Sequence, residues 1–270
     1  MNAKLKYPIL LVHGMGWRDG KRFGYWGRIP KALEQAGNTV FFGNQDANAD
    51  VETNGSHLAE RINEILSETG AEKVNIIAHS KGGLDSRYAI SKCGVGSKVA
   101  SLTTVCTPHH GSRTVDWLLR CPTWIVRFAC FWADVGFRIL GDRNPRTHRV
   151  IVSFTTDEAR KFNADTPDHK DVYYQSYAFV MKKWNSDGLL WLPNLVVKRI
   201  EGENDGLLPP SAVRWGDYRG AFCGTDRRGI SHLDEVDFRR KSFSKCQGEG
   251  VNDIADFYVQ ICKDLKRKEF

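Results

Sequence analysis

Ser80 lies where an apolar run, V-N-I-I-A-H at residues 74–79, ends and two glycines follow closely. Ala78 and Gly82, two residues before and two after this serine, complete a small-x-Ser-x-Gly pattern. In that pattern a strand turns sharply into a helix, the small residues let the two elements approach, and the serine backbone is strained with its hydroxyl exposed. The pattern therefore predicts that Ser80 is a nucleophile, with a plain helix N-cap as the alternative.

A serine hydroxyl is a poor nucleophile unless a base takes its proton and a carboxylate orients that base. His232, in the stretch S-H-L-D-E-V at 231–236, is the only histidine in the last hundred residues and is the predicted base. Asp205 is the favoured acid because it lies in an N-D-G turn that we expect to follow a strand at 195–200. Three other carboxylates compete for the role of the acid: Glu201, Glu203 and Asp187.

The negative charge that forms on a carbonyl oxygen during nucleophilic attack needs backbone N–H donors placed in advance. One donor is expected from Lys81, the residue after the nucleophile. The other is expected from the loop after the first long strand, where the chain reads His13-Gly14-Met15. The sequence thus predicts that the amides of Met15 and Lys81 form an oxyanion hole.

The elements that must position these residues alternate between apolar, β-rich runs and helical patterns. Continuous apolar strands are buried on both faces, and strands separated by helices form a parallel sheet with helices on each side. The predicted strands are 9–12, 40–42, 74–78, 102–106, 173–179 and 195–200, and the predicted helices are 29–36, 57–69, 84–91 and 254–266. We therefore predict one α/β domain over residues 1–270, with ligands bound at the carboxyl ends of the strands.

A strongly apolar segment at 115–140 carries five charged residues and Pro122, which argues against a membrane span. On a helix with about 100° per residue, these charges fall along one line, and the rest of the circumference is aromatic or aliphatic. We expect a helical lid, inserted at about 114–147, that presents its apolar residues to a lipid–water interface when open. The alternative is an additional core helix that does not move.

The formal charge of +7 comes from 39 basic and 32 acidic residues, without a basic face interleaved with aromatic residues, so we expect no nucleic-acid partner. The seven cysteines are widely spread and form no C-x-x-C pair, which disfavours a disulfide scaffold and a zinc site. The start, M-N-A-K-L-K, is too short and polar for a signal peptide. A cytoplasmic location is therefore the default, a secreted mature form stays open, and we expect a monomer.

Five stretches of the chain resemble the bacterial triacylglycerol lipases of the α/β-hydrolase superfamily, both the Pseudomonas and Burkholderia type and the shorter lipases of Firmicutes. They are, in the family's order, P-I-L-L-V-H-G at 8–14, A-H-S-K-G-G-L-D-S-R-Y at 78–88, T-P-H-H-G-S at 107–112, N-D-G-L at 204–207 and S-H-L-D-E-V at 231–236. The resemblance implies an α/β-hydrolase fold and a serine carboxylic-ester hydrolase. In that family's terms Ser80, Asp205 and His232 are the catalytic triad, and Met15 and Lys81 form the oxyanion hole.

The same resemblance implies that the chemistry needs no cofactor, and it suggests a structural calcium beside the histidine loop with Asp234 as one ligand. The family's upstream calcium ligand falls near Trp184, with Asp187 as a neighbour. Without calcium, Asp234 is expected to pair with Arg239 or Arg240. The functions that stay open beside a triacylglycerol lipase are a short-chain esterase, a phospholipase, a polyester hydrolase and a non-catalytic lipid-binding protein.

Overall fold

A single sheet of six parallel strands forms the centre of the protein, whose computed structural model describes residues 3–19, 24–240, 242 and 250–270. The strands are β1 (Ile9–Val12), β2 (Val40–Phe42), β3 (Val74–His79), β4 (Val99–Val105), β5 (Tyr173–Phe179) and β6 (Asp217–Phe222). Their spatial order is β2-β1-β3-β4-β5-β6. Because β3 pairs with β1 and β4, the residue that follows β3 lies in the interior of the sheet's carboxyl edge.

Helices cover both faces of this sheet. Those on one face are α1 (Ile29–Gln35) and α10 (Ile254–Arg267), and those on the other are α2 (Val51–Thr69) and α3 (Lys81–Lys92). Successive residues of a strand point to opposite faces, so Leu11 belongs to the first hydrophobic core and Leu10 to the second. The predicted α/β architecture is confirmed.

The prediction of a strand at 195–200 is wrong. These residues belong to the helix α8 (Trp191–Ile200), in which the buried residues Asn194 and Val197 are three positions apart, as on one face of a helix. The sixth strand, β6, lies after Asp205 instead of before it, and the loop that carries Asp205 leads from α8 to the short helix α9 (Pro210–Val213). A short apolar run does not distinguish a strand from a helix by itself, which is why the prediction failed.

Four helices lie between β4 and β5, where the sequence predicts a lid. They are α4 (Arg113–Leu118), α5 (Thr123–Ile139), α6 (Thr147–Ser153) and α7 (Thr156–Asp165). In α5, which is described over its whole length, Cys130 is the single buried residue, so this helix lies on the surface. A movement of this helix stays a prediction. Among the residues that the structure describes, no helix has the length and hydrophobicity needed to cross a membrane.

Candidate active site

Ser80 occupies the sharp turn between β3 and α3 that the small-residue pattern predicts. Its φ of +52° and ψ of −130° lie outside the regions that a residue with a side chain prefers, so its backbone is strained. A methyl group on Gly82 would lie 2.4 Å from the carbonyl oxygen of His13, which shows how closely the helix approaches β1. The Ser80 N–H donates to the carbonyl of Val105 at 2.9 Å, and this bond fixes the turn to the neighbouring strand.

The loop after β1 passes directly beside the serine. A methyl group on Gly14 would lie 2.8 Å from the Cβ of Ser80, so glycine is needed for this approach. Met15, the next residue, lines the same cavity as Ser80. The contribution of the Met15 amide to an oxyanion hole stays a prediction.

Lys81 is the first residue of α3, and the N–H groups of a helix's first turn have no acceptor within the helix. Its side chain is buried and points along the helix, because the ammonium donates to both carboxylate oxygens of Asp85 at 2.6 and 2.8 Å. The side chain of Lys81 is therefore held by a buried ion pair, and the contribution of its amide to an oxyanion hole stays a prediction.

His232 and Asp205 form a buried pair, as predicted from their places in the sequence. The Nδ1 of His232 lies 2.8 Å from the Oδ2 of Asp205, and the other oxygen of Asp205 accepts from the amides of Leu207 and Leu208 at 2.8 and 2.7 Å. Burial alone would raise the pKa of Asp205, but His232 and the two amides outweigh it and hold the pKa below its ordinary value. Asp205 is therefore ionised, and its carboxylate holds the Nδ1 side of the His232 imidazole in place.

The other three carboxylates that compete for the acid's role have different partners. Glu201 accepts hydrogen bonds from the hydroxyl of Ser112 at 2.7 Å, and Asp187 accepts from the hydroxyl of Ser231 at 2.7 Å. Glu203 is exposed in the loop after α8. Among the four candidates, Asp205 is the one whose carboxylate the described structure places against His232.

Sequence reasoning missed a second buried carboxylate beside this pair. Glu235 lies fully buried, with its Oε2 2.8 Å from Nε2 of His79 and 3.6 Å from Nδ1 of His232. The other nitrogen of His79 lies 2.6 Å from the hydroxyl of Tyr25. Burial first, and the charge of Asp205 second, raise the pKa of Glu235 well above its ordinary value, while burial lowers that of His79. Glu235 and His79 therefore form a neutral buried pair that lies next to His232.

Two signals in the sequence pointed to this pair without identifying it. Glu235 is three residues after His232, a spacing that brings side chains together in a helical turn, here a 3-10 turn at Asp234–Val236. His79 directly precedes the serine. The distance between them along the chain is 156 residues, so that their contact depends on the fold.

Four side chains with metal-ligating atoms lie together in the site. Ligand atoms of Cys106, Asp205, His232 and Glu235 lie within 4.8 Å of one another, but the histidine is already bonded to Asp205, and burial keeps the Cys106 thiol protonated by raising its pKa. This group therefore does not favour a metal ion.

Asp234, the expected calcium ligand, pairs with Arg239, which bonds to both of its carboxylate oxygens. One of these oxygens also accepts from the amide of Ser231 at 3.2 Å. Calcium binds through several oxygen ligands, and Arg239 engages both carboxylate oxygens of Asp234. The pairing with Arg239 is one that the sequence analysis expects without calcium, and calcium binding itself stays an untested prediction.

Ser80 and His232 open into a cavity of about 770 Å³. Most of its wall is apolar and comes from α4, from the end of α6 and from the loops around the two residues; it includes Val115, Leu118, Ile151, Phe154, Leu207, Leu208, Leu233 and Phe238. A cavity of this size and character is large enough for a long acyl chain. The residues of α5 do not contribute to the wall, so α4 is the part of the predicted lid that reaches the site.

The sequence of the chain matches the family of palmitoyl protein thioesterases over residues 8–182. It is 31% identical over 266 residues to triacylglycerol lipase 2 of Saccharomyces cerevisiae, a match that covers 91% of this chain and 74% of the yeast protein. It is 38% identical over 121 residues to a triacylglycerol lipase of Pseudarthrobacter phenanthrenivorans, which covers 43% of this chain and 37% of the bacterial protein.

Solved structures share the fold at lower sequence identity. The lipase of Staphylococcus hyicus superposes with a TM-score of 0.73 at 17% identity, over 98% of this chain and 96% of that one. A mature lipase of Bacillus licheniformis superposes with a TM-score of 0.64 at 24% identity, over 86% of each chain. At these identities the likeness concerns the fold alone.

Proposed function

This chain is a lipase of the α/β-hydrolase type and belongs to the palmitoyl protein thioesterase family, and from that membership we propose that it hydrolyses long-chain acylglycerols through Ser80, Asp205 and His232. The observation that carries the proposal is the buried His232–Asp205 pair, 2.8 Å apart, together with the apolar cavity that His232 and the strained Ser80 both line. The yeast relative is named a triacylglycerol lipase, which supports an acylglycerol as the substrate class.

The proposed reaction begins when the hydroxyl oxygen of Ser80 attacks the ester carbonyl carbon. The Nδ1 of His232 is bonded to Asp205, so Nε2 is the nitrogen that takes the proton of the serine. The same nitrogen then gives this proton to the oxygen of the leaving alcohol, and the acyl group remains on Ser80 as an ester.

Hydrolysis of this acyl-enzyme repeats the sequence with water. His232 takes a proton from the water molecule as its oxygen attacks the acyl carbonyl, and returns the proton to Ser80 when the acid leaves. Asp205 holds the imidazole in the required tautomer and stabilises its cation, while the amides of Met15 and Lys81 bind the oxyanion in both steps. None of these steps uses a metal ion or a cofactor.

We also propose that the segment from α4 to α5 is a lid over the cavity. Support comes from α4, which forms part of the cavity wall through Val115 and Leu118, and from α5, which presents Trp124 and Phe128 to solvent. A lid that moved would widen the entrance to Ser80 and enlarge the apolar surface around it.

The proposal is tested by hydrolysis of p-nitrophenyl esters from acetate to palmitate, together with emulsified tributyrin and triolein. We expect activity that favours long chains and rises once an emulsion forms. The Ser80→Ala variant is expected to lose roughly 10⁶-fold in kcat while keeping the native circular dichroism. Turnover close to wild type in this variant would refute the role of Ser80, and activity limited to short, soluble esters would identify an esterase instead.

The match to palmitoyl protein thioesterases favours one further substrate class, the long-chain acyl thioester. The same serine chemistry cleaves a thioester, with a thiol in place of the alcohol as the leaving group. Comparing palmitoyl-CoA with p-nitrophenyl palmitate as substrates separates the two: we expect a higher kcat/KM for the ester, and a reversed order would assign the protein to thioesters.

A further inference from the structure

In residues 113–143, which run from α4 to the loop after α5, the basic side chains are exposed and the acidic side chains are not. The five arginines of residues 113–143 are all exposed; they are Arg113, Arg120, Arg127, Arg138 and Arg143. The three aspartates of the same segment are Asp116, Asp134 and Asp142, and none of them is exposed. We call the exposed side chains of residues 113–143 the cap face.

Each of these aspartates is bound to backbone N–H groups of another segment. Asp134 accepts from the amide of Thr147 at 2.7 Å, and Asp116 accepts from the amide and the hydroxyl of Thr156 at 3.0 and 2.7 Å. Asp142 accepts from the amides of Ala47 and Asn48 at 2.9 and 2.8 Å. The negative charge is therefore turned inward, and the charge on the cap face is positive.

The rest of the cap face is apolar. A surface helix normally turns its apolar side to the protein, but α5 exposes most of its apolar side as well as its arginines. Its buried residue is Cys130, and Phe128, about 160° around the helix axis from it, is 64% exposed. The other large apolar side chains exposed on α5 are Trp124, Ile125, Phe131, Trp132 and Ile139.

Both ends of the segment reach the entrance of the cavity. At one end Leu118 of α4 belongs to the cavity wall and is 48% exposed. At the other end the carbonyl of Gly141 accepts a hydrogen bond from Arg18, whose neighbour Trp17 also lines the cavity. The cap face therefore lies beside the opening through which a lipid would reach Ser80.

We propose that the cap face binds the surface of a membrane that contains anionic phospholipids, an inference that rests on the proposed function in that the substrate is a lipid. Exposed tryptophan and phenylalanine rings enter the boundary between head groups and acyl chains, while arginines contact phosphate and carboxylate groups. With 17 residues, α5 lies in the plane of this boundary. A neutral oil droplet would satisfy the aromatic rings but leave the five arginines without anions.

A second copy of the chain fits the cap face less well. In a twofold symmetric dimer the same face of each copy meets, so that arginines would approach arginines. The aspartates that might compensate are turned inward and bound. Charge complementarity therefore favours an anionic lipid surface over self-association.

The test measures binding of the Ser80→Ala variant to vesicles, since this variant does not consume the lipid. Vesicles of phosphatidylcholine alone are compared by co-sedimentation with vesicles in which a third of the lipid is phosphatidylserine. Each arginine near an anionic surface strengthens binding roughly fivefold, so Arg127→Gln combined with Arg138→Gln should weaken binding to the anionic vesicles about 25-fold. Added salt should weaken it as well, because these charges are exposed and screened.

Two control variants separate this proposal from a general charge effect. Arg160→Gln combined with Arg267→Gln removes the same net charge from α7 and α10, and should leave binding nearly unchanged. Trp124→Ser combined with Phe128→Ser should abolish the binding, while the circular dichroism and the oligomeric state remain those of the parent.

Three results would overturn the proposal. They are equal binding to neutral and anionic vesicles, equal losses from the two arginine pairs, and a dimer in buffer that the Trp124→Ser and Phe128→Ser changes convert to a monomer. Hydrolysis of a short soluble ester by the protein with Ser80 intact is measured separately. A failure of the proposed activity would appear in that assay alone, and a failure of membrane binding in the vesicle assay alone.

Discussion

Replacing Glu235 by glutamine should stabilise the protein, and by an amount that grows with pH. The carboxyl group of Glu235 is fully buried and bonded to His79, and its pKa lies well above the ordinary value of 4.5. In the unfolded chain the group releases its proton near that ordinary value. Between the two pKa values the folded protein therefore holds one proton more than the unfolded chain does.

The sign and the size of the effect follow from this difference in bound protons. When folding takes up a proton, the free energy of unfolding falls by about 1.4 kcal/mol for each unit by which the pH rises. The stabilising contribution of protonated Glu235 is complete below its unfolded pKa and is lost as the pH rises towards the folded pKa. Glutamine keeps the shape and a hydrogen-bonding group but does not titrate, so the variant escapes this loss.

Urea denaturation at one-unit intervals from about pH 5.5 to about pH 7.5 measures the effect. The free energy of unfolding of wild type minus that of Glu235→Gln should fall with pH, by about 1.4 kcal/mol per unit for as long as the pH lies between the unfolded and the folded pKa of Glu235. His79 is neutral in both folded proteins because burial lowers its pKa, so it cancels in the difference. Glu64→Gln, at a side chain that is 64% exposed, is the matched control and should show no such slope. A difference that is independent of pH would refute the reasoning, because Glu235 would then be ionised in the folded protein.

Two further substitutions test the site and the turn that carries it. Asp205→Asn should lower kcat for a p-nitrophenyl ester roughly 10⁴-fold, whereas Asp187→Asn should retain most of it; the opposite order would transfer the role of the acid to Asp187. Gly82→Ala should lower the free energy of unfolding by about 3 kcal/mol, because its methyl group would lie 2.4 Å from the carbonyl oxygen of His13. Gly188→Ala, with no atom within 4 Å of the added methyl, should change it by less than about 0.5 kcal/mol, and equal midpoints in thermal denaturation would contradict the close approach.

The amino-acid sequence by itself determined the features that depend on local order. Buried strands such as Ile9–Val12 are continuous apolar runs, and the bounds of this strand agree with the prediction because burial on both faces leaves little room for polar residues. The turn at Ser80 was predictable for a similar reason, since only small residues permit the approach of α3 to β1, and the sequence has them at the required spacing. His232 was identified by elimination among few histidines.

The choice of Asp205 as the acid depended on a local prediction that was wrong. The sequence favours Asp205 because it predicts a strand before this residue, but the preceding element is the helix α8. Asp205 is nevertheless the candidate whose carboxylate lies against His232. The two residues are also joined by a backbone hydrogen bond of 2.8 Å from the amide of His232 to the carbonyl of Asp205. The roles of these residues in catalysis stay predictions that the substitutions above test.

Only the tertiary structure decided which distant groups share an environment. The contact between Glu235 and His79 spans 156 residues, and the upward shift of one pKa and the downward shift of the other come from burial among neighbours that no spacing in the chain reveals. The sequence likewise places charges along one line of α5 but does not say which side of the helix faces the protein. That side was determined by where Asp134 and Cys130 find contacts, and it leaves an apolar surface with exposed arginines directed towards solvent. Local patterns follow from the chemistry of neighbouring residues, whereas charge and burial at a site depend on every segment that the fold brings to it.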